Sequence, residues 1–154
     1  METNDEGVIG AHERALHEAG HAVALERLPR AGSRVDVVTI VPHGDFGGLC
    51  ISRDRRDEQD DISRRDQRIV SCSGYAALIV AGFPEADAEW GATYDFLKVR
   101  ARCSELDLEE HKAAAVRFLS RPDIFREVLI VADALLERRT LLGSEMRELM
   151  GDEK

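Results

Sequence analysis

The sequence carries one cluster of residues whose types and spacing suit metal chemistry, His17-Glu18-Ala19-Gly20-His21. Residues four apart lie on one face of an α-helix, so the two imidazoles can converge on a single tetrahedral zinc ion. Glu18 directly follows the first histidine. At this position its carboxylate can reach a water molecule in the open coordination position of the zinc ion, rather than the metal itself. Zinc lowers the pKa of a water molecule there to about 7, and Glu18 could accept its proton as the water attacks a carbonyl. The motif therefore predicts a zinc-dependent hydrolase.

A catalytic zinc site needs a third protein ligand, and the sequence near the motif does not supply one. Residues 22–42 contain no histidine, which excludes the extended three-histidine motif. The side chains elsewhere that could complete the site are His43, Glu89, Asp95, Glu105 and His111. Residue type and spacing leave this choice open. We expect His43 and His111 to be ordinary surface residues.

The elements that must position the motif are mostly helical. Apolar residues recur at helical spacing between Gly10 and Leu28, and Pro29 cannot continue that helix. Residues 35–41 are rich in Val, Ile and Thr and predict a strand, which a turn at 42–45 connects to a short strand at 49–51. Further helices are predicted at 63–81, 93–104, 107–120, 123–139 and 145–150. The predicted fold class is mainly α, of the α+β type, with a small β-ribbon beside the zinc helix.

Length, composition and charge limit the domain count and the partners. With 154 residues, 44% hydrophobic and 33% charged, the chain suits one soluble globular domain. We expect this domain to span residues 1–154, with residues 1–9 as a flexible segment. The net charge of −9 argues against a nucleic-acid partner, because phosphate binding needs a basic surface. No apolar stretch reaches the roughly 20 residues of a membrane-spanning helix.

The cysteines and the arginine-rich segments also bear on the setting of the protein. Cys50, Cys72 and Cys103 are odd in number and widely spaced, so they suit neither a disulfide framework nor a Cys-x-x-Cys zinc site. A reducing cytoplasm is the expected location. Arginines at 53–56 and 64–68 are interspersed with aspartates, which is typical of a solvated loop that leads into a helix.

Several segments resemble the peptidase domain of the FtsH family of zinc proteases, in the family's order. Residues 15–23 (ALHEAGHAV) resemble its zinc helix. Residues 38–42 (VTIVP), followed by Gly47-Gly48, resemble its β-ribbon, and residues 73–77 (SGYAA) resemble the start of a helix packed against the site. Residues 91–95 (GATYD) resemble the segment that supplies the family's third zinc ligand, an aspartate.

The resemblance implies a role for each matching residue. Asp95 would be the third zinc ligand. In the family the strand that bears the glycines runs beside the substrate, so an extended peptide would pair with this strand by β-augmentation. The strand residues concerned are Gly47, Gly48, Leu49 and Cys50. The implied function is a zinc-dependent endopeptidase acting on a polypeptide substrate.

The chain also departs from the family. The family joins this domain to membrane helices and an AAA ATPase, whereas none of the three lysines here follows a glycine, which excludes a phosphate-binding Gly-x-x-x-x-Gly-Lys loop. We therefore expect unfolded or small polypeptides as substrates, or a separate ATPase partner. The family's hexameric rings make a homo-oligomer a further expectation.

A second departure concerns the support of the zinc histidines. Leu78 and Ile79 stand where the family's helix carries a pair of glutamates, and loss of a carboxylate that orients a metal-binding histidine weakens a site. The alternative function is therefore a zinc-stabilised binding or regulatory module with the peptidase fold and little or no catalytic activity.

Overall fold

The computed structural model describes residues 10–28, 33–42, 48–54 and 61–152. The predicted flexible segment 1–9 lies outside the described residues, as do His43 and Gly47. The elements in chain order are α1 (Ala11–Arg27), β1 (Ser33–Thr39), β2 (Leu49–Asp54), α2 (Asp61–Ala81), α3 (Glu85–Gly91), α4 (Thr93–Arg100), α5 (Glu105–Leu119), α6 (Pro122–Arg138), β3 (Thr140–Leu142) and α7 (Gly143–Leu149). The predicted class, mainly α with a small sheet, is confirmed.

The helix that bears the histidines, α1, occupies the centre of the fold. It packs against α2 on one side, α6 on another and the sheet on a third. Residues 15–20 and 22–25 of α1 are buried, which is why small apolar residues dominate its sequence. Gly20 is one of them, and a Cβ built there would collide with the backbone oxygen of Ser73 on α2. The two helices therefore approach as closely as their backbones permit.

The ends of α1 and α2 follow local chemistry. The N–H of Gly10 donates to Glu13 Oε1 at 2.7 Å, which satisfies a backbone donor before the first turn of α1. The helix ends at Arg27, two residues before Pro29. α2 ends at Ala81 because Gly82 adopts a φ of 97°, a conformation that only glycine takes without strain. These boundaries agree with the predicted ones within two residues.

The sheet has three antiparallel strands in the order β2-β1-β3, rather than the two strands predicted. β3 pairs Leu141 with Val38 of β1, and its three residues are too few to show alternation in the sequence. It begins directly after Arg139, whose φ of 72° ends α6 and turns the chain towards the sheet. β2 remains at an edge of the sheet.

The prediction missed one helix between α2 and α4. No helix is predicted for residues 82–92, but Pro84 precedes the first turn of α3, where its fixed φ and missing N–H are tolerated. α4 ends at Arg100 rather than at residue 104, because the Ser104 side chain accepts the Asp107 N–H and begins α5. In the described part of the chain, no helix combines the length and apolar character needed to cross a bilayer.

Candidate metal centre

Three potential metal ligands meet where α1 faces α4. His17 Nε2 and His21 Nε2 lie 3.1 Å and 3.0 Å from Asp95 Oδ2, and the two nitrogens are 3.1 Å apart. Ligands at about 2.0–2.1 Å from a tetrahedral zinc ion would lie about 3.3 Å from one another. Among the described residues, no other three His, Cys, Asp or Glu side chains come close enough to hold one ion. Two imidazoles and one carboxylate are also a donor set that fits zinc and leaves a fourth position open.

The orientation of His21 is fixed by α2. Its Nδ1 lies 2.8 Å from the backbone oxygen of Val70. A carbonyl can only accept, so Nδ1 carries the hydrogen and donates it. The Nε2 lone pair of neutral His21 therefore faces Asp95 and His17, which is the arrangement that a metal ligand needs.

The ring of His17 is positioned by steric packing rather than by a hydrogen bond. A Cβ built on Gly74 of α2 would lie 2.5 to 2.6 Å from three atoms of this ring, so the ring occupies the space that a side chain would fill. His17 Nδ1 is buried and has no hydrogen-bond partner in the described part of the chain. Leu78 is fully buried and Ile79 packs against the core, and neither side chain can accept a hydrogen bond from a histidine.

The carboxylate of Glu18 is buried beside the ligands, with 8% of the residue exposed. Burial raises the pKa of Glu18 more than the neighbouring His17 and His21 lower it. Gly48 covers this side chain, because a Cβ there would lie 3.0 Å from Glu18 Cγ and 2.8 Å from the Thr39 oxygen. Gly48 thus makes room for Glu18, a reason for glycine at this position that the sequence did not suggest.

Charge in the metal-free site favours a cation. Burial alone would raise the pKa of Asp95, but His21 and His17 hold it well below its usual range. Burial lowers the pKa of His21, but the charge and hydrogen bond of Asp95 outweigh it and raise that pKa to about 9. In the metal-free protein at neutral pH, a proton on His21 supplies the positive charge that Asp95 requires.

In the described part of the chain, none of the other candidates for the third ligand joins His17 and His21. Glu89 pairs with Lys112 at 3.2 Å, and Glu105 pairs with Arg100 at 3.1 Å. His111 was expected at the surface, and this expectation was wrong: the residue is 4% exposed on α5, and burial lowers its pKa. His43 lies outside the described residues.

The segment predicted to bind substrate, at β2, lies next to the metal centre because Gly48 is adjacent to the Glu18 side chain. Leu49 and Cys50 follow on β2 and are half-buried, and β2 has β1 on one side only within the described sheet. Burial raises the pKa of the Cys50 thiol far above neutrality, so Cys50 is a neutral group here. An edge strand of this kind has the unpaired backbone groups that β-augmentation needs.

No protein-family model matches the chain. A protein of Ruminiclostridium cellulolyticum named ATP-dependent zinc metalloprotease FtsH is 32% identical over 97 residues, or 60% of this chain. A protein of the same name from Streptobacillus moniliformis is 26% identical over an alignment of 175 residues that covers 88% of this chain. These matches support a relation to the FtsH family. The chain spans only 15% and 25% of the length of these curated relatives.

The sequence did not reveal that the Val70 carbonyl and Gly74 position the two histidines. A backbone carbonyl leaves no signal in residue type. Gly74 does leave one, because glycine in the middle of a 21-residue helix costs about 1 kcal/mol of helix propensity and calls for a packing reason. That reason is the ring of His17.

Proposed function

We propose that this chain is a zinc-dependent endopeptidase that hydrolyses peptide bonds in unfolded or small polypeptides. The observation that carries the proposal is the meeting of His17, His21 and Asp95 at one point, with the Glu18 carboxylate beside it. The two relatives, both named as zinc metalloproteases, support it at family level. The chain spans a small share of each relative, and we assign it to their peptidase portion because it carries the His17, His21 and Asp95 cluster.

His17, His21 and Asp95 would hold the zinc ion. A bound zinc ion would supply Lewis acidity towards a peptide carbonyl and a water molecule. Glu18 then accepts the proton of the water as its oxygen adds to the carbonyl carbon. When the C–N bond breaks, Glu18 returns this proton to the leaving amine.

The substrate would lie along the edge of the sheet. An extended peptide that pairs with Gly48, Leu49 and Cys50 of β2 would pass the Glu18 carboxylate, since Gly48 contacts that side chain. Gly47 belongs to the same predicted segment and lies outside the described residues. A single domain over 1–154, a cytoplasmic location, a homo-oligomer and a separate ATPase partner remain parts of the proposal to be tested.

A second candidate function is a zinc-stabilised binding or regulatory module with weak or absent catalysis. Its support is the apolar pair Leu78 and Ile79 together with the unpartnered Nδ1 of His17. A histidine without a hydrogen-bonded partner is a less basic and less firmly oriented ligand. Against this candidate, a purely structural zinc site has no chemical need for Glu18.

The test combines zinc content with turnover of an unfolded protein substrate. We expect about one zinc per chain in the wild type and much less in His17→Ala and Asp95→Ala. Glu18→Gln should retain zinc and lose about 100-fold or more in turnover, because it removes the general base. Glu137→Gln, an exposed change of the same type on α6, is the matched control. Turnover by Glu18→Gln at the wild-type rate would refute the proposed mechanism, and a zinc-loaded wild type that leaves every substrate intact would favour the binding module.

A further inference from the structure

A cationic cavity lies between two of the helices that support the metal centre. Its volume is about 300 Å³, and it opens between α2 and the C-terminal part of α4. The polar side chains that line it are Arg64, Gln67, Arg68, Ser71, Lys98 and Arg102. Residues 64, 68 and 71 are spaced to lie on one face of α2, so the helix presents these side chains together. Four cations thus surround one cavity in a chain whose net charge is −9.

Three cations of the cavity, Arg68, Lys98 and Arg102, differ from the arginines directly beside them. Arg65 pairs with Glu110 at 3.8 Å, and Arg100 pairs with Glu105 at 3.1 Å, and neither arginine lines the cavity. By contrast, no ion pair joins Arg68, Lys98 or Arg102 to a carboxylate in the described ranges, which also contain the acidic residues of α5. The solvated charge pattern expected for residues 64–68 therefore describes Arg65, whereas Arg68, Lys98 and Arg102 have no carboxylate within ion-pair distance in the described part of the chain.

The cavity is close to the metal centre in the structure. Ser71 directly follows Val70, whose carbonyl orients His21. Lys98 lies one turn after Asp95 on α4, a displacement of about 4.5 Å along the helix axis. An extended peptide advances about 3.3 Å per residue. A group about one to three residues from the scissile bond could therefore reach the cavity.

We propose that this cavity binds a carboxylate of the peptide substrate close to the scissile bond, an inference that rests on the proposed endopeptidase function. Guanidinium groups bind carboxylates through paired, charge-assisted hydrogen bonds, and Ser71 offers a further donor. In polypeptides a carboxylate comes from an Asp or Glu side chain or from the chain terminus. The cavity would thus make acidic peptides the preferred substrates.

Three fluorescent peptides of otherwise identical sequence separate the sources of the carboxylate. One has a Glu near the predicted cleavage point and an amidated C-terminus, the second has Gln and an amide, and the third has Gln and a free C-terminal carboxylate. Binding is measured by fluorescence anisotropy to the zinc-loaded Glu18→Gln protein, which should not cleave them, and turnover is measured with the zinc-loaded wild type. We expect an acidic peptide to bind about 10-fold more tightly than the neutral one at low salt.

Variants then assign the preference to the cavity. In Arg68→Gln and Arg102→Gln, each combined with Glu18→Gln, the preference should fall to about twofold or less. Arg102 is exposed, so its replacement should test the inference without destabilising the fold. Arg100→Gln, in the same background, removes the same charge two residues before Arg102 and outside the cavity, and it should keep the preference. Raising the salt from about 0.05 to 0.5 M should weaken the preference, because an exposed ion pair is screened.

The outcomes separate this inference from the function on which it rests. Tighter binding of either acidic peptide, lost in the cavity variants, supports the inference and names the source of the carboxylate. Cleavage and binding of all three peptides alike would overturn the inference and leave the endopeptidase proposal intact. A preference in binding without turnover by the wild type would support the carboxylate site and refute the catalytic proposal.

Discussion

Replacing Gly74 by alanine should weaken zinc binding while the fold persists. A Cβ at position 74 would lie 2.5 to 2.6 Å from three atoms of the His17 ring, whereas ordinary contacts begin at 3.4 Å. The ring must therefore retreat by about 0.8 Å, and metal–ligand distances tolerate only about 0.2 Å. Zinc sites with four ligands bind with about 10–16 kcal/mol, so one displaced ligand is worth on the order of 3 kcal/mol, or about 100-fold in Kd.

The metal-free protein should change much less. Alanine gains about 1 kcal/mol of helix propensity over glycine, which offsets part of the about 1–3 kcal/mol that overpacking costs. The Gly74→Ala variant should therefore show an unfolding free energy within about 2 kcal/mol of the wild type in the presence of a chelator. Zinc affinity is measured by competition with a chromophoric chelator, and unfolding by urea titration followed by circular dichroism.

A double-mutant cycle supplies the control. In a His17→Ala background the ring that Gly74 accommodates is gone, so adding Gly74→Ala should not weaken zinc binding further. The reasoning is refuted if Gly74→Ala binds zinc within about threefold of the wild-type Kd. It is equally refuted if the substitution weakens binding as much in the His17→Ala background as in the wild type.

Two further predictions concern stability. The folded-state pKa of His21 is raised from 6.5 to about 9, so its stabilising contribution is present below the unfolded value and is lost as pH rises from 6.5 to 9. Metal-free protein should lose up to about 3 kcal/mol over this window in urea titrations, and an unchanged unfolding free energy would contradict the His21–Asp95 ion pair. Arg27 donates to Glu127 at 2.8 Å and to Asp152 at 2.9 Å. Arg27→Met should cost about 1–2 kcal/mol and lower the Tm by several degrees, whereas the exposed Arg34→Met should change it little.

Local signals sufficed for much of the fold. The 3.6-residue periodicity and the breaker Pro29 predicted the bounds of α1 and α2 to within two residues. They failed for α3, which has only seven residues, and for β3, which has three. Three residues are too few for a periodic pattern, and within α3 only Ala88 is buried, so its sequence shows no apolar period.

Glu18 and the two histidines needed no tertiary information, because positions 17, 18 and 21 take a fixed relation on any α-helix. The third member of the cluster was different. Asp95 lies 74 residues beyond His21, and residue types alone left five candidates; only a family resemblance favoured it. The packing of α4 against the rest of the molecule decided that Asp95 Oδ2, rather than the Glu89 or Glu105 carboxylate, lies 3.0 Å from His21 Nε2.

The sequence by itself determined which residues could carry the chemistry and placed the histidine pair on one helix face. The tertiary structure alone decided what surrounds that pair: the Val70 carbonyl, the space above Gly74 and the cationic cavity between α2 and α4. The physical reason is the distance along the sequence over which each effect acts. Helix geometry relates residues within a turn or two, whereas close approach between helices depends on how whole apolar faces pack, and no short stretch of sequence records that arrangement.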